Sequence, residues 1–385
     1  MTAPPASASV VVIGGGVIGT SVLFHLAEAG VTDAVLVERG ALASGSTVRS
    51  AGGVRAQFSD ELNVRIGARS LRAFEDFGRR PGWEIDLHQV GYLFLLDSEA
   101  AVAQFTEGVA LHRRLGVPSS LITPDEAAAL SPYIATDGLL AAAWSADDGH
   151  CTPEAVVQGY AAGARGLGAR VCTGTEVIGI DVRGGVVRGV RTSAGDIACD
   201  VVVCCAGAWS GAVGALAGVE LPITPYRRQI IVTEPVPGGV RRDIPMTIDF
   251  GTSFYFHREG PGVLLGMSWP GEQPGFSTET HDEWAADLDA AIARRAPALR
   301  DLGVQTQWAG LYEVTPDHNA LLGEATEVSR FLYASGFSGH GFLQAPGVGE
   351  ILRDLVLGRE PFVDVASLSA SRFASAALRP DLNIV

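Results

Sequence analysis

Cysteine is scarce and unpatterned in this chain. The five present, Cys151, Cys172, Cys199, Cys204 and Cys205, are an odd set with no CxxC and no Cys/His ligand spacing. That argues against a disulfide framework and against a metal site, and buried, reduced thiols are expected. Basic charge is also short. Lysine and arginine number 28 against 43 acids, for a net charge of −15, and form no long run, so the basic face that nucleic acid requires is missing. The opening "MTAPPASAS" lacks the positive n-region of a signal peptide, and a cytoplasmic protein is expected. No membrane span is expected either: the apolar run 10–26 contains Gly14, Gly15, Gly16 and Gly19 and soon meets turns and a glutamate, too early to cross a bilayer. What abounds is apolar residues, 47%, and glycine, 48 of 385 residues. This composition describes a globular protein long enough for two domains, with many tight turns or close approaches of backbone to a ligand.

The glycines of that first run have a pattern. Residues 10–13 read as a short β-branched strand, Gly14, Gly16 and Gly19 fit GxGxxG, and residues 18–28 take a helical period capped by Gly30. A second apolar strand, "AVLVERG", ends on Glu38. Strand, glycine turn, helix, strand and terminal acid make a dinucleotide-binding βαβ unit. Gly14 permits the turn, Gly16 admits a pyrophosphate, and Gly19 lets helix and strand close up. The helix start, with Val17 and Ile18, offers N–H groups to the phosphates. Glu38 is placed for ribose hydroxyls and disfavours a 2′-phosphate, which leaves NAD and FAD.

No second GxGxxG occurs, as an enzyme binding both FAD and a nicotinamide would usually carry. Residues 168–210 instead read as four strands with hairpin turns at Gly184-Gly185 and Ala194-Gly195, the last strand running into Ala206-Gly207-Ala208-Trp209. The fingerprint, "ERG" (38–40), "SGST" (44–47), "TEVIGI" (175–180), "CAGAWS" (205–210) and "GFSGHGF" (336–342) together resemble the D-amino-acid-oxidase superfamily of FAD enzymes. Within it the likeness is to the branch of sarcosine oxidase, dimethylglycine dehydrogenase and the L-proline dehydrogenase β-subunit. The resemblance implies an α/β plus α+β architecture. A discontinuous Rossmann-like FAD-binding domain (1–82, 145–220, 314–385) is joined to a substrate domain (83–144, 221–313) built on a mixed, largely antiparallel sheet. It places cofactor contacts at Gly14, Gly16, Val17, Ile18, Gly19, Glu38, Arg39, Ser46, Thr47, Val177, Ala206, Gly207, Trp209, Gly339, His340, Gly341 and Phe342.

Near the C-terminus a strand, a glycine loop and a helix over 344–357 are expected, the helix ended by Gly358 and Pro361. In the family that loop and helix dipole face the flavin N1–C2=O side, where reduction leaves negative charge. Arg55 falls where related sarcosine oxidases hold the substrate carboxylate, a task suited to a planar, bidentate guanidinium; Arg49 is a weaker candidate. Tyr255 resembles family tyrosines near the substrate and shares a strand face with His257, and His340 is a candidate proton carrier. The chain departs from its relatives in three places. Arg49 and Gly310 replace the histidine and cysteine that carry covalent flavin in some of them, so noncovalent FAD is expected. Leu264 replaces a lysine that assists oxygen reduction in the oxidases, so O₂ or another electron acceptor, even a partner subunit, is open. The implied reaction is hydride transfer to flavin N5 from the carbon beside a secondary or tertiary amine of an amino acid such as sarcosine or proline, giving an imine that hydrolyses. A primary-amine oxidase and a non-catalytic flavoprotein subunit are the alternatives.

Overall fold

The first strand, Ser7–Ile13, is apolar on both sides because both sides are covered: Val10 and Val12 enter one core, Val11 and Ile13 another. A strand buried on both faces reads as a continuous apolar run. The helix behind it, Val17–Glu28, is 12 residues long and buries all but its last. In this computed structural model, which describes residues 3–374 and 380, no helix among the described residues is long and apolar enough to cross a membrane.

Five strands lie parallel in the order Arg170–Thr173, Val35–Glu38, Ser7–Ile13, Gly195–Cys204 and Phe331–Ser335, and Leu321–Glu324 adds an antiparallel edge. The helices Val17–Glu28, Glu61–Glu75, Pro153–Gly166 and Gly341–Val356 share the core on one face of this sheet. Val177–Arg183 and Val186–Thr192 form the expected antiparallel hairpin. Its turn residues Gly184 and Gly185 have φ of 59° and 75°, the region two-residue hairpins demand.

A second sheet runs in the order Val304–Val314, Thr224–Thr233, Gly262–Met267, Phe254–Glu259, Met246–Asp249, Tyr92–Leu96, Ala141–Ser145 and Ser119–Ile122. Only the pair Met246–Asp249 with Tyr92–Leu96 is parallel, so this sheet is mixed and largely antiparallel. Both sheets supply walls to one cavity. The outermost residues of the expected FAD-binding segments, 1–2, 375–379 and 381–385, lie outside the described residues.

One boundary differs from the expectation. The last helix begins at Gly341, not Gln344, and so carries Pro346 in its interior. Proline removes a donor and disturbs the ladder, and side chains of two neighbouring helices bond the backbone on either side of it. The Ser21 hydroxyl donates to Ala345 O at 2.8 Å, the Ser70 hydroxyl donates to Gln344 O at 3.2 Å, and Gly347 N donates to Ser70 Oγ at 3.0 Å. Helix start signals are local, whereas these partners come from far along the chain.

The second sheet is pinned by a buried ion pair, Arg295 Nε to Asp249 Oδ1 at 3.0 Å, with neither side chain exposed. Removing one partner strands the other's charge. We expect Asp249→Ala to cost about 3–5 kcal/mol in chemical denaturation; a loss below about 1 kcal/mol would show the pair to be dispensable.

Candidate active site

The cavity holds about 460 Å³, a volume typical of small-molecule sites. At one end stands the joint between the first strand and first helix. Gly14 has φ of 114°, and a Cβ there would lie 2.3 Å from the Cys205 carbonyl oxygen. A Cβ on Gly19 would lie 2.0 Å from Gly14 O, so Gly19 serves helix packing and is the one expected contact that does not line the cavity. The helix is capped by Gly16 with no side-chain bond. Val17 N donates to Thr47 Oγ1 at 3.2 Å. Glu38 is oriented by its own backbone surroundings: Gly15 N and Gly40 N donate to its two oxygens, each at 2.7 Å. Arg39 lies over the Trp209 ring at 4.1 Å, and Ser46 donates to Leu311 O at 2.8 Å. Gly14, Gly16, Val17, Ile18, Glu38, Arg39, Ser46, Thr47, Val177, Ala206, Gly207 and Trp209 all line this part of the cavity.

At the other end a second helix start, Gly341–Val356, opens onto the cavity, and its cap His340 likewise makes no side-chain cap bond. Gly339, His340, Gly341, Phe342, Arg55 and Tyr255 all line this region. Arg55 is 2% exposed. Its guanidinium lies 4.4 Å from the Phe58 ring centroid and 5.4 Å from that of Phe94. Nη1 donates to Gln57 O, and Nη2 donates to His340 Nε2 at 3.1 Å. A guanidinium has no acceptor, so that contact makes His340 Nε2 the acceptor and puts its proton on Nδ1. His257 instead stacks on His150 at 4.3 Å, outside the cavity lining.

Several residues here carry no sequence signal. Tyr92 and Tyr312 join Tyr255 in the lining, and burial pushes all three phenols upward, keeping them neutral donors. Arg228 lines the cavity from the strand Thr224–Thr233. Glu313 lines it beside Gly207, its acid pushed up to about 7 by burial. Asp148 lies outside the lining and anchors the Arg55 loop: it accepts from Ala56 N at 3.0 Å and from Gln57 Nε2 at 3.2 Å. An inward arginine at strand period 2 is the one trace that marks Arg228; the others become neighbours only through folding.

Residues 9–355 match the DAO family model, described as FAD dependent oxidoreductase. The chain belongs to this family. It is 32% identical to mitochondrial sarcosine dehydrogenase of Homo sapiens, over 96% of this chain and 42% of that protein. It is 30% identical to mitochondrial dimethylglycine dehydrogenase of Mus musculus, over 95% of this chain and 44% of that protein. The chain therefore spans less than half the length of these relatives. Among solved structures, L-proline dehydrogenase from P. horikoshii superposes with a TM-score of 0.92 at 33% identity, over 98% of this chain and 100% of that one. Glycine oxidase from Geobacillus kaustophilus gives 0.85 at 25% identity, over 96% and 99%.

The residues present fit the family's FAD. Two helix starts whose cap residues, Gly16 and His340, make no side-chain bond open on the same cavity; Val17 N is taken by Thr47 Oγ1, and the other first-turn N–H groups have no partner within a helix. Glu38 keeps an unused lone pair on each oxygen beside its backbone donor, as a ribose diol requires. Arg49 and Gly310 adjoin: a Cβ on Gly310 would lie 3.0 Å from Arg49 Cβ.

Two outcomes follow. Gly14→Val places a branched side chain against the Cys205 carbonyl at a positive φ, and we expect the purified variant to retain less than about a tenth of the wild-type FAD content; full flavin occupancy would contradict the close approach. Burial pushes the Asp148 acid up to about 7 from 3.8, against the pull of its donors and Arg55. The folded state thus keeps this proton longer than the unfolded chain, so its contribution to stability declines as pH rises from about 4 through 7. We expect Asp148→Asn to gain on the order of 2 kcal/mol relative to wild type in denaturation at pH 8 compared with pH 4; an equal difference at both pH values would refute the shift.

Proposed function

We propose that this chain oxidises an amino acid carrying a secondary or tertiary amine, at the carbon beside the nitrogen, giving an imine that water hydrolyses. The observation that carries the reading is Arg55, a buried guanidinium at the end of the cavity where the glycine loop and the second helix start converge. Bound FAD supplies the two-electron acceptor for that carbon–hydrogen bond. The nucleotide end would be held by Gly14, Gly16, Val17, Glu38 and Arg39, with Thr47, Val177 and Trp209 beside them. Gly339 to Phe342 would hold the ring end. FAD held this way is noncovalent, since neither Arg49 nor Gly310 offers an attachment group. Residues 1–82, 145–220 and 314–385 would make up the FAD-binding part and 83–144 and 221–313 the substrate part; the strands of the first sheet all fall in the former and those of the second, but for the end residues Ser145 and Val314, in the latter.

Arg55 fixes the carboxylate by two parallel charge-assisted bonds, while His340 keeps the guanidinium in place from behind. The nitrogen lone pair must be free, so the amine binds neutral. The Arg55 charge and burial from water both disfavour an ammonium here, and positioning does the remaining work. Tyr255 donates to the substrate from the opposite sheet. Leu264, buried against Ile230 and Val232, leaves no cation at that place to assist oxygen, which favours a dye or protein acceptor over O₂. All five cysteines are free and buried, in keeping with a reducing, cytoplasmic setting.

The test is anaerobic mixing of the purified flavoprotein with a panel of amines. N-alkyl amino acids are expected to bleach the flavin and glycine or D-amino acids to leave it oxidised; the reverse order would overturn the reading. Arg55→Ala is expected to raise KM at least about 30-fold while FAD stays bound. An unchanged KM with the best amine would remove Arg55 from its assigned role.

A further inference from the structure

Arg228 lines the cavity from the strand Thr224–Thr233, and its partner across the sheet is Gly310. Its guanidinium carbon lies 5.1 Å from the Tyr312 ring centroid and 5.9 Å from that of Tyr226. Nη1 donates to Arg227 O at 2.8 Å. Nε is buried with no hydrogen-bond partner among the described residues. The adjacent Arg227 is paired with Glu272 at 3.0 Å, whereas Arg228 has no ion pair among the described residues. A buried donor on an uncompensated cation is costly unless a ligand completes it.

This cation stands apart from Arg55. Tyr92 lies in the field of Arg55, Tyr255 in that of Arg228, and Tyr312 in both. Tyr312 is also the link between the two neighbourhoods: Gly339 packs against its ring, so closely that a Cβ there would lie 2.4 Å away, and the next residue, His340, accepts from Arg55. The phenols between the arginines are neutral and compensate neither charge. In a chain of net charge −15, Arg55 and Arg228 both line this cavity, with Arg49 beside Gly310.

We propose that Arg228 is a second anion-binding group and that the substrate is an amine bearing two acidic groups, an N-substituted aminodicarboxylate held by Arg55 at one carboxylate and by Arg228 at the other. The inference rests on the amine-oxidising reading above. A single carboxylate reaching both arginines is the competing arrangement, and the comparison of glutarate with propionate below separates the two.

The experiment uses the FAD-loaded enzyme in two arms. In the first, the non-reacting acids glutarate and propionate are titrated against the oxidised protein and binding is read from perturbation of flavin absorbance. Wild type is expected to bind glutarate at least about 30-fold more tightly than propionate, and Arg228→Met to erase that preference while Arg228→Lys restores most of it. Equal loss of both acids in Arg228→Met, or no loss of either, overturns the proposal; FAD content and circular dichroism of each variant identify any that fails to fold, and Arg228→Lys then decides alone. In the second arm, N-methylaspartate and iminodiacetate are compared with sarcosine in anaerobic reduction. Faster reduction by the diacids supports the proposal, and faster reduction by sarcosine overturns it while leaving the oxidation of amines intact. If no amine reduces the flavin, the amine reading fails, and the acid titration still reports whether Arg228 binds a second carboxylate.

Discussion

The contact between Gly14 and the Cys205 carbonyl is the constraint on which this architecture turns. Two parallel strands, Ser7–Ile13 and Gly195–Cys204, end side by side, and the chain leaving the first must pass over the end of the second without a side chain. Gly14 allows this, and Gly19 seats the helix on the same spot. The first helix therefore points its start at a place fixed by backbone packing, with Val17 N held by Thr47 Oγ1. Loosening that joint would move the helix start relative to Glu38 and to the loop after Cys204, and no side-chain rearrangement would recover the alignment.

The far end of the cavity is built on a different principle. There the rigid element is Gly341–Val356, buried along most of its length and held to two other helices by Ser21 and Ser70. Arg55 comes from a loop, yet it is as fixed as a core residue. Asp148 ties the backbone beneath it, Phe58 and Phe94 flank its plane, and His340 fastens it to the helix start. Buried charge is expensive, and Arg55 and Asp148 are buried at or beside one cavity, with the half-buried Arg228 and Glu313 in its lining. That concentration separates a site from a scattering of buried ion pairs, of which Arg295 with Asp249 is a structural example.

Much of this was legible in the sequence where the cause is local. GxGxxG, the acid at Glu38 and the Gly184-Gly185 turn each act within a few residues, and each stands where expected. The resemblance to a flavoprotein family located Arg55, Tyr255 and the late glycine loop in one cavity, which periodicity alone does not do. What was not legible depends on long-range partners. The last helix starts three residues early because serines from distant helices satisfy the backbone around Pro346. Asp148 reads as an ordinary turn acid until the Arg55 loop folds over it. Arg228 and Tyr312 sit on adjacent antiparallel strands more than eighty positions apart in the chain, and only sheet register brings them together.

The central claim is that both helix starts address one FAD molecule, its diphosphate at Gly16 and Val17 and its ring at Gly339 to Phe342. A crystal structure of the purified yellow protein tests this directly. The account predicts continuous density for one extended FAD per chain between those two points, with no bond to any side chain and with Arg55, Arg228 and Tyr255 facing the ring across open space. Density that leaves either helix start unoccupied, or a ring turned away from the Arg55 end, would contradict it.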